Sequence, residues 1–280
     1  MARLMPMGLV LLVVIILVTF IFYFYWNVSS EILVSDHMND FIDTVDRHKA
    51  ADGKKLVIFD LDDTVFMSSQ LLGTPTWYYT MINLMRQSGA AQFEAYEVVS
   101  TVDKIVQEHI GVVPVEQATL SAIRTWQRRG MIVVAYTSRP VDMATITNMQ
   151  LDQIDLSFWS PYLSCVEDDD HEVDEGFIDG VIYSGSNQKK HRALFAFADR
   201  MRRCGLSFEV MALADDQQRY IAKAADFSTK NHIDFIGIIY GGALSSRIFD
   251  AMEARRQLLS LEQSIGAFII PREYRYVFLN

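Results

Sequence analysis

The chain has 280 residues, half of them hydrophobic, and its formal net charge is −10. This length suffices for one large domain, or for a core with an accessory domain. An acidic chain without a basic run is not expected to bind a nucleic-acid backbone. Two cysteines, Cys165 and Cys204, are too few for a disulfide scaffold, and the sequence leaves open whether they pair or remain separate thiols.

The N-terminal segment of residues 4–26 contains no charged residue. As a helix it would span about 35 Å, more than the roughly 30 Å core of a bilayer. Arg3 precedes the segment and acidic residues follow it, which predicts that the rest of the chain lies on the non-cytoplasmic side. We therefore expect residues 1–29 to form an uncleaved membrane anchor, leaving the remainder periplasmic in a Gram-negative bacterium. A cleaved signal peptide, which would make the protein secreted, is the alternative.

The first half of the chain after this segment is mostly helical in pattern. Residues 30–50 are predicted to form a helix leading to the core. Residues 56–60 are predicted to form a buried parallel strand, because four apolar residues run directly into a cluster of acids. Amphipathic periodicity then predicts helices over three segments: residues 77–85, 93–108 and 115–129.

The second half of the chain alternates between strands and helices. Strands are predicted at residues 131–136, 208–214 and 233–240, a short hairpin at 177–184, and a helix at 190–203. The acidic stretch of residues 167–175 is interpreted as a solvated loop, because it lacks the spacing of a calcium-binding loop. This order predicts an α/β fold in which helices cover both faces of a Rossmann-like, doubly wound parallel sheet.

Polar residues follow three of the predicted strands where each strand ends. They are Asp60 and Asp62, then Thr137, then Asp215 and Asp216. Ligands in open α/β sheets bind outside the carboxyl ends of the strands, so we expect these side chains to lie close together. A lysine pair at residues 189–190 opens the helix between the second and third of these sites. Such a set suits phosphoryl transfer, where catalysis is mostly positioning and charge neutralisation.

The chemistry of these residues predicts a role for each. Asp60 can attack phosphorus and form an aspartyl phosphate, while Asp62 can protonate the leaving oxygen and later deprotonate water. A magnesium ion held by Asp60 and Asp215 would let the anionic nucleophile approach an anionic substrate. Thr137 and one lysine would bind the phosphoryl oxygens.

Four motifs in this order resemble those of the haloacid dehalogenase-like (HAD) superfamily. They are the Asp-x-Asp-x-Thr pattern of residues 60–64, Thr137 at a strand end, Lys190 at a helix start, and the acidic pair of residues 215–216. Lys190 fits better than Lys189 because Leu194 falls where the first buried residue of the helix is expected. Segments at residues 72–78, 126–130 and 137–140 also resemble exported bacterial HAD-like proteins of unknown substrate.

This resemblance implies a magnesium-dependent phosphatase that acts on a small phosphate monoester. Asp60 would be the nucleophile and Asp62 the acid/base, and the metal ligands would be Asp60, Asp215 and the backbone carbonyl of Asp62. Thr137 and Lys190 would bind phosphate. Residues 30–65 and 129–280 would form the α/β core, and residues 66–128 a helical cap that restricts water.

Several alternatives remain open in the sequence. A non-catalytic binding or scaffold protein at the membrane could retain the same fold, and a phosphotransferase could use the same residues. Asp63 fits a helix cap or structural acid and is left out of the catalytic set, and Asp216 fits either a metal ligand or a supporting group. Arg139 fits substrate contact or bracing of the phosphate loop, and the aromatic residues 77–79 fit a pocket or simple packing.

Overall fold

The computed structural model describes residues 28–167, 175–186, 189–243 and 248–279. Among these residues, no helix is long and apolar enough to cross a membrane. The apolar segment of residues 4–26, predicted to form the membrane anchor, lies outside the described residues. Most of the acidic stretch of residues 167–175 also lies outside them.

The described residues contain nine strands and nine α-helices. The strands are β1 (Ser30–Ser35), β2 (Lys55–Asp60), β3 (Phe66–Ser68), β4 (Val112–Pro114), β5 (Ile132–Thr137), β6 (Gly176–Ile178), β7 (Val181–Tyr183), β8 (Val210–Asp215) and β9 (Asp234–Tyr240). The helices are α1 (Met38–Arg47), α2 (Pro75–Gln87), α3 (Gln92–His109), α4 (Gln117–Arg128), α5 (Ala144–Gln153), α6 (Lys190–Arg203), α7 (Gln218–Lys230), α8 (Ala251–Ile265) and α9 (Arg275–Leu279).

Seven of these strands form one sheet in the order β1-β9-β8-β2-β5-β7-β6. All neighbouring strands are parallel except β6 and β7. The predicted α/β class with a mostly parallel sheet is therefore confirmed. Because β2 lies between β8 and β5, the carboxyl ends of these three strands meet at one edge of the sheet. A separate antiparallel pair joins β3 to β4.

Helices cover both faces of the main sheet, as the continuous apolar character of its strands requires. Side chains alternate along β2, so that Val57 and Phe59 face one side and Leu56 and Ile58 the other. The first face packs against α1, α4 and part of α5. The second face packs against α6 and α7.

A third hydrophobic cluster joins four helices, α2, α3, α8 and α9. We call these four helices the helical layer. Its buried members include Trp77 on α2 and Leu258 on α8. Gln257 on α8 also accepts hydrogen bonds from the backbone amides of Leu71 and Leu72. The packing therefore groups the helices differently from the predicted boundaries, since α4 packs on the sheet and α8 and α9 pack with the predicted cap.

The prediction of a helix over residues 30–50 is wrong for its first part. Residues 30–35 form the edge strand β1, which pairs in parallel with β9, and only α1 is helical. Its apolar run covers only residues 32–34, and Val34 is 79% exposed. Pairing with a strand some 200 residues away along the chain, rather than local sequence, sets its conformation.

The two cysteines lie next to each other. The Cys204 thiol, at the end of α6, donates a hydrogen bond to the backbone carbonyl oxygen of Cys165 at 2.9 Å. Both are free thiols in this structure. The fold thus answers the question of proximity that the sequence left open.

Candidate functional site

A tight turn after β2 presents the first two acids at the edge of the sheet. The backbone oxygen of Leu61 accepts hydrogen bonds from the amides of Val65 and Phe66, which folds the chain back on itself. Asp63 occupies the left-handed region with φ of 63°, a conformation that Asp and Asn tolerate better than most residues. The turn keeps Asp60 and Asp62 near the neighbouring strands.

The lysine cluster, which consists of Asp60, Lys190 and Asp215, occupies the centre of this edge. Lys190 Nζ donates to Asp60 Oδ1 at 2.5 Å and to Asp215 Oδ2 at 2.9 Å. All three side chains are buried, with exposed fractions of 3% for Lys190, 6% for Asp60 and 0% for Asp215. The second oxygen of Asp60 accepts from the hydroxyl of Thr64 at 3.2 Å.

Two tyrosine rings complete the surroundings of Lys190. Its Nζ atom lies 4.2 Å from the ring centroid of Tyr136 and 4.8 Å from that of Tyr220. The two rings meet edge to face. Aromatic faces attract an ammonium group while excluding water from it, so the lysine cluster is a dry, charge-dense centre.

Burial and charge act in opposite directions on the protonation of this cluster. Burial raises the pKa of Asp60 well above its usual value, and the ammonium of Lys190 opposes that shift. Burial alone would lower the pKa of Lys190, but Asp215 and Asp60 outweigh it and raise the pKa well above its usual value. Lys190 therefore remains an ammonium group, and its charge limits the rise in the pKa of Asp60.

Asp216 adds a third carboxylate beside the cluster. Oxygen atoms of Asp60, Asp215 and Asp216 all lie within 4.8 Å of one another. Burial, followed by the charge of Asp215, raises the pKa of Asp216 to about 7. With all three ionised, one ammonium leaves two negative charges over, which a divalent cation with a preference for oxygen ligands would balance.

Asp62 points to a different partner. Its Oδ1 and Oδ2 accept from Arg139 Nη2 at 2.7 Å and from Arg139 Nε at 3.1 Å. The hydroxyl of Thr137 lies 3.5 Å from Asp62 Oδ2 and accepts from the amide of Arg139. Asp62 is 29% exposed, so it is the most accessible acid among the predicted catalytic residues.

A fifth acid approaches the site from the helical layer. Asp103 on α3 accepts from the side-chain amide of Gln107 at 3.2 Å. Burial raises the pKa of Asp103 to about 7; the hydrogen bond from Gln107 and the charge of Arg139 oppose the shift, and the charge of Asp62 adds to it. Nothing in the local sequence singles out Asp103, because one acid on an amphipathic helix is usually a surface residue.

The structure brings the predicted site residues together, although in two groups. Asp60, Lys190 and Asp215 form the lysine cluster, whereas Asp62 and Thr137 lie beside Arg139. Lys189 is 42% exposed and pairs with Glu175 at 2.9 Å. The structure therefore distinguishes the two lysines, because Lys190 contacts Asp60 and Asp215 while Lys189 pairs with Glu175.

Sequence reasoning missed the residues that support the site. Thr64 belongs to the Asp-x-Asp-x-Thr motif, so its contact with Asp60 could have been expected. Tyr136 precedes Thr137 on an inward-facing position of β5, which is also a usable signal. Nothing local marks Gln107 or Tyr220, which approach from separate helices.

The three aromatic residues at the start of α2 differ in their surroundings. Trp77 is buried in the third hydrophobic cluster and serves packing. The hydroxyl of Tyr78 hydrogen-bonds Ser100 at 2.8 Å, and its ring meets Tyr79 edge to face. Tyr79 is 37% exposed, so a pocket role remains a prediction for this residue.

A family model described as "Protein of unknown function (DUF2608)" matches residues 34–263, which is most of the chain. The chain belongs to this family. The matched residues include β2, β5, α6 and β8, and hence every side chain of the lysine cluster.

Three chlamydial proteins named "Putative outer membrane protein" are similar to this DUF2608 chain. The protein from Chlamydia muridarum (strain MoPn / Nigg) is 27% identical over 184 residues, covering 66% of this chain and 68% of the relative. The protein from Chlamydia trachomatis serovar D is 27% identical over 192 residues, covering 68% and 70%. The protein from Chlamydia pneumoniae is 25% identical over 190 residues, covering 66% and 68%.

Proposed function

We propose that the protein is a HAD-like phosphohydrolase that cleaves a small phosphate monoester through an aspartyl phosphate on Asp60. One observation carries this proposal. Asp60 ends the central strand of a mostly parallel sheet, and its carboxylate is bound by Lys190, which also binds Asp215 from the adjacent strand. A buried carboxylate held this way has a fixed position and an adjacent positive charge, as a nucleophile for an anionic substrate requires.

The proposed reaction has two steps. An Asp60 oxygen bonds to phosphorus while the ester P–O bond breaks, and the leaving oxygen takes a proton from Asp62. A water molecule then attacks the aspartyl phosphate, giving its proton to Asp62, and phosphate leaves with Asp60 restored. Thr137 and Lys190 would hold the phosphoryl oxygens.

The residues present fit a magnesium ion. Asp60, Asp215 and Asp216 offer carboxylate oxygens, and the resemblance adds the backbone carbonyl of Asp62. Bound magnesium would neutralise charge on the phosphoryl group and on the acids. Lys190 compensates only part of the negative charge, which favours a cation of charge two.

We further propose that the protein is exported and held at a membrane by its N-terminal segment. The uncharged residues 4–26 and the names of the chlamydial relatives support this location. The site would then face the periplasm in a Gram-negative bacterium. Protease added to spheroplasts should digest the domain of residues 30–280, and full protection of this domain would contradict the orientation.

The direct test is phosphate release by the purified full-length chain. We expect release from an aryl phosphate that depends on added Mg²⁺ and stops with a chelator. Beryllium fluoride, which mimics an aspartyl phosphate, should raise the melting temperature only when Asp60 is present. Absence of phosphate release from any monoester in a broad panel, together with no effect of Mg²⁺ or beryllium fluoride, would contradict the proposal. Transfer to added glycerol instead of water would identify a phosphotransferase.

A non-catalytic binding or scaffold protein with the same fold is the second candidate. The observation that favours it is the pairing of both Asp62 oxygens with Arg139. This pairing engages the carboxylate that the phosphohydrolase would need as its acid/base. A protein of this class would give no phosphate release and no stabilisation by beryllium fluoride. The same two measurements therefore separate the candidates.

A further inference from the structure

Arg139 is buried beside the proposed active site, with an exposed fraction of 7%. Its Nε and Nη2 atoms hold Asp62 in a two-point contact at 3.1 and 2.7 Å. Such a forked contact fixes both the distance and the orientation of a carboxylate. Arg139 therefore determines where Asp62 points.

The remaining donors of Arg139 reach two other elements. Its Nη1 atom donates to Thr147 Oγ1 at 3.2 Å and to Gln150 Oε1 at 2.7 Å, both on α5. Its Nη2 atom also lies 3.5 Å from Gln107 Oε1 on α3. A guanidinium group has five N–H donors, and these contacts use all five. No donor is left for a substrate, which favours bracing over substrate contact.

Gln107 continues the connection into the helical layer. Its side-chain amide donates to the backbone carbonyl of Gly73 at 2.8 Å and to Asp103 at 3.2 Å. Gln150 donates to the backbone and side-chain oxygens of Gln107, both at 3.0 Å. A continuous buried chain of hydrogen bonds thus joins Asp62 to the last turns of α3.

We propose that Arg139 is a positioning residue that fixes Asp62 and couples its position to α3 through Gln107. Its kinetic part rests on the proposed phosphohydrolase function. Arg139 acts through Asp62 and not on the substrate. Movement of the helical layer would therefore change the placement of the proposed acid/base while leaving the lysine cluster in place.

A double-mutant cycle with Asp62→Asn and Arg139→Met tests the kinetic part. Arg139→Met should lower kcat about 100-fold while changing KM less than about threefold. In the Asp62→Asn background the same change should alter kcat less than about threefold, because its target is already lost. Independent, multiplying losses, or a rise in KM as large as the fall in kcat, would overturn the inference.

Two further variants guard against simple misfolding. Arg139→Lys keeps the charge, yet one ammonium group cannot make both Asp62 contacts and reach Gln107, so most of the kcat loss should remain. Arg124→Met is the matched control, because Arg124 bonds the carbonyl of Ile154 at 3.2 Å on the far end of α5. We expect its kcat to stay within about twofold of the original chain.

Hydrogen exchange separates this inference from the proposed function. Arg139→Met and Asp62→Asn should each speed exchange of amides near Gln107 at least about tenfold, and the double variant should be no faster than Arg139→Met alone. Arg124→Met should leave these amides unchanged. If the original chain releases no phosphate, the proposed function fails while exchange still decides the coupling. Unchanged exchange in Arg139→Met overturns the coupling, whatever the activity.

Discussion

Two clusters of charged and polar side chains lie side by side at the edge of the sheet where β2, β5 and β8 end, and they are built differently. In the lysine cluster a single ammonium lies between Asp60 and Asp215, enclosed by two tyrosine rings. The arginine cluster consists of Asp62, Arg139, Thr147, Gln150 and Gln107, and its forked cation binds both oxygens of one acid and amides from two helices.

The two clusters therefore do different things: the lysine cluster balances buried charge, and the arginine cluster fixes the position of a side chain. Lys190 is a compact charge that offsets the acids packed around it, and these acids end adjacent strands that cannot move independently. Arg139 is a planar cation that links Asp62 to partners on helices α3 and α5. The lysine cluster is therefore suited to hold charge in a rigid sheet, and the arginine cluster to transmit the position of the helical layer.

The largest expected effect comes from the nucleophile in the lysine cluster. Asp60→Asn should lower kcat about 10³-fold or more, because an amide oxygen does not attack phosphorus, while the fold remains. Asp63→Asn is the matched control, since asparagine also tolerates the φ of 63° at that position. Steady-state phosphate release measures both. Equal losses of kcat in the two variants would show that activity depends on the conformation of the turn and not on the Asp60 carboxylate.

Removing the lysine should destabilise the protein strongly. Lys190→Met leaves Asp60 and Asp215 buried without their cation, at an expected cost of about 3–5 kcal/mol in the free energy of unfolding. Lys189→Met, which removes a half-exposed surface pair, should cost less than about 1 kcal/mol. Urea denaturation of both variants measures the difference. Similar costs would mean that the lysine cluster is not the stabilising centre of this edge.

Asp103 gives the arginine cluster a pH dependence of its own. Burial raises its pKa to about 7 from an ordinary value of 3.8, so the folded state keeps a proton that the unfolded state loses. Between about pH 4 and pH 7 its contribution to stability therefore falls as pH rises. Asp103→Asn should be up to about 4 kcal/mol more stable than the original chain at pH 8 and equal to it near pH 4.

The control for this pH dependence is Asp142→Asn, which removes a surface acid paired with Lys104. Its stability should stay within about 0.5 kcal/mol of the original chain at both pH values. Thermal unfolding at several pH values measures both variants. A gain for Asp103→Asn that is the same at pH 4 and pH 8 would exclude the proposed proton on Asp103.

The smallest effect concerns the link between the arginine cluster and α3. Gln107→Met keeps the size of the side chain but leaves the carbonyl of Gly73 without its donor. It also removes one of the two acceptors of the Gln150 amide, and the two losses should together cost about 1–2 kcal/mol. Gln127→Met, which removes one bond to the carbonyl of Ser157 near the surface, should cost under about 0.5 kcal/mol. Urea denaturation distinguishes them, and no difference would weaken the contrast between the clusters.

Much of the sheet could be predicted because its strands are locally distinct. The apolar runs at residues 56–60 and 131–136 coincide with β2 and β5 to within one residue at each end, and the predicted helix 190–203 matches α6. Their patterns need no distant partner to be recognised. Residues 30–35 contain an apolar run of only three residues, and their pairing with β9 was missed.

The sequence by itself determined which residues end the central strands, and so the grouping of Asp60, Thr137 and Asp215. Parallel strands bring their carboxyl ends to one edge, so the sequence places these residues at the same edge of the sheet. The position of β2 between β8 and β5 comes from the structure. Helical phase also favoured Lys190 over Lys189, and Lys190 is the lysine that contacts Asp60 and Asp215.

Only the tertiary structure decided how the two acids of the first motif differ. Asp60 and Asp62 are two residues apart, yet one faces a lysine from α6 and the other an arginine tied to α3 and α5. Arg139 and Gln107 are separated by 32 positions, and Gln107 and Gln150 by 43. Contacts at such separations depend on how helices pack, because no local periodicity specifies which polar side chains will meet.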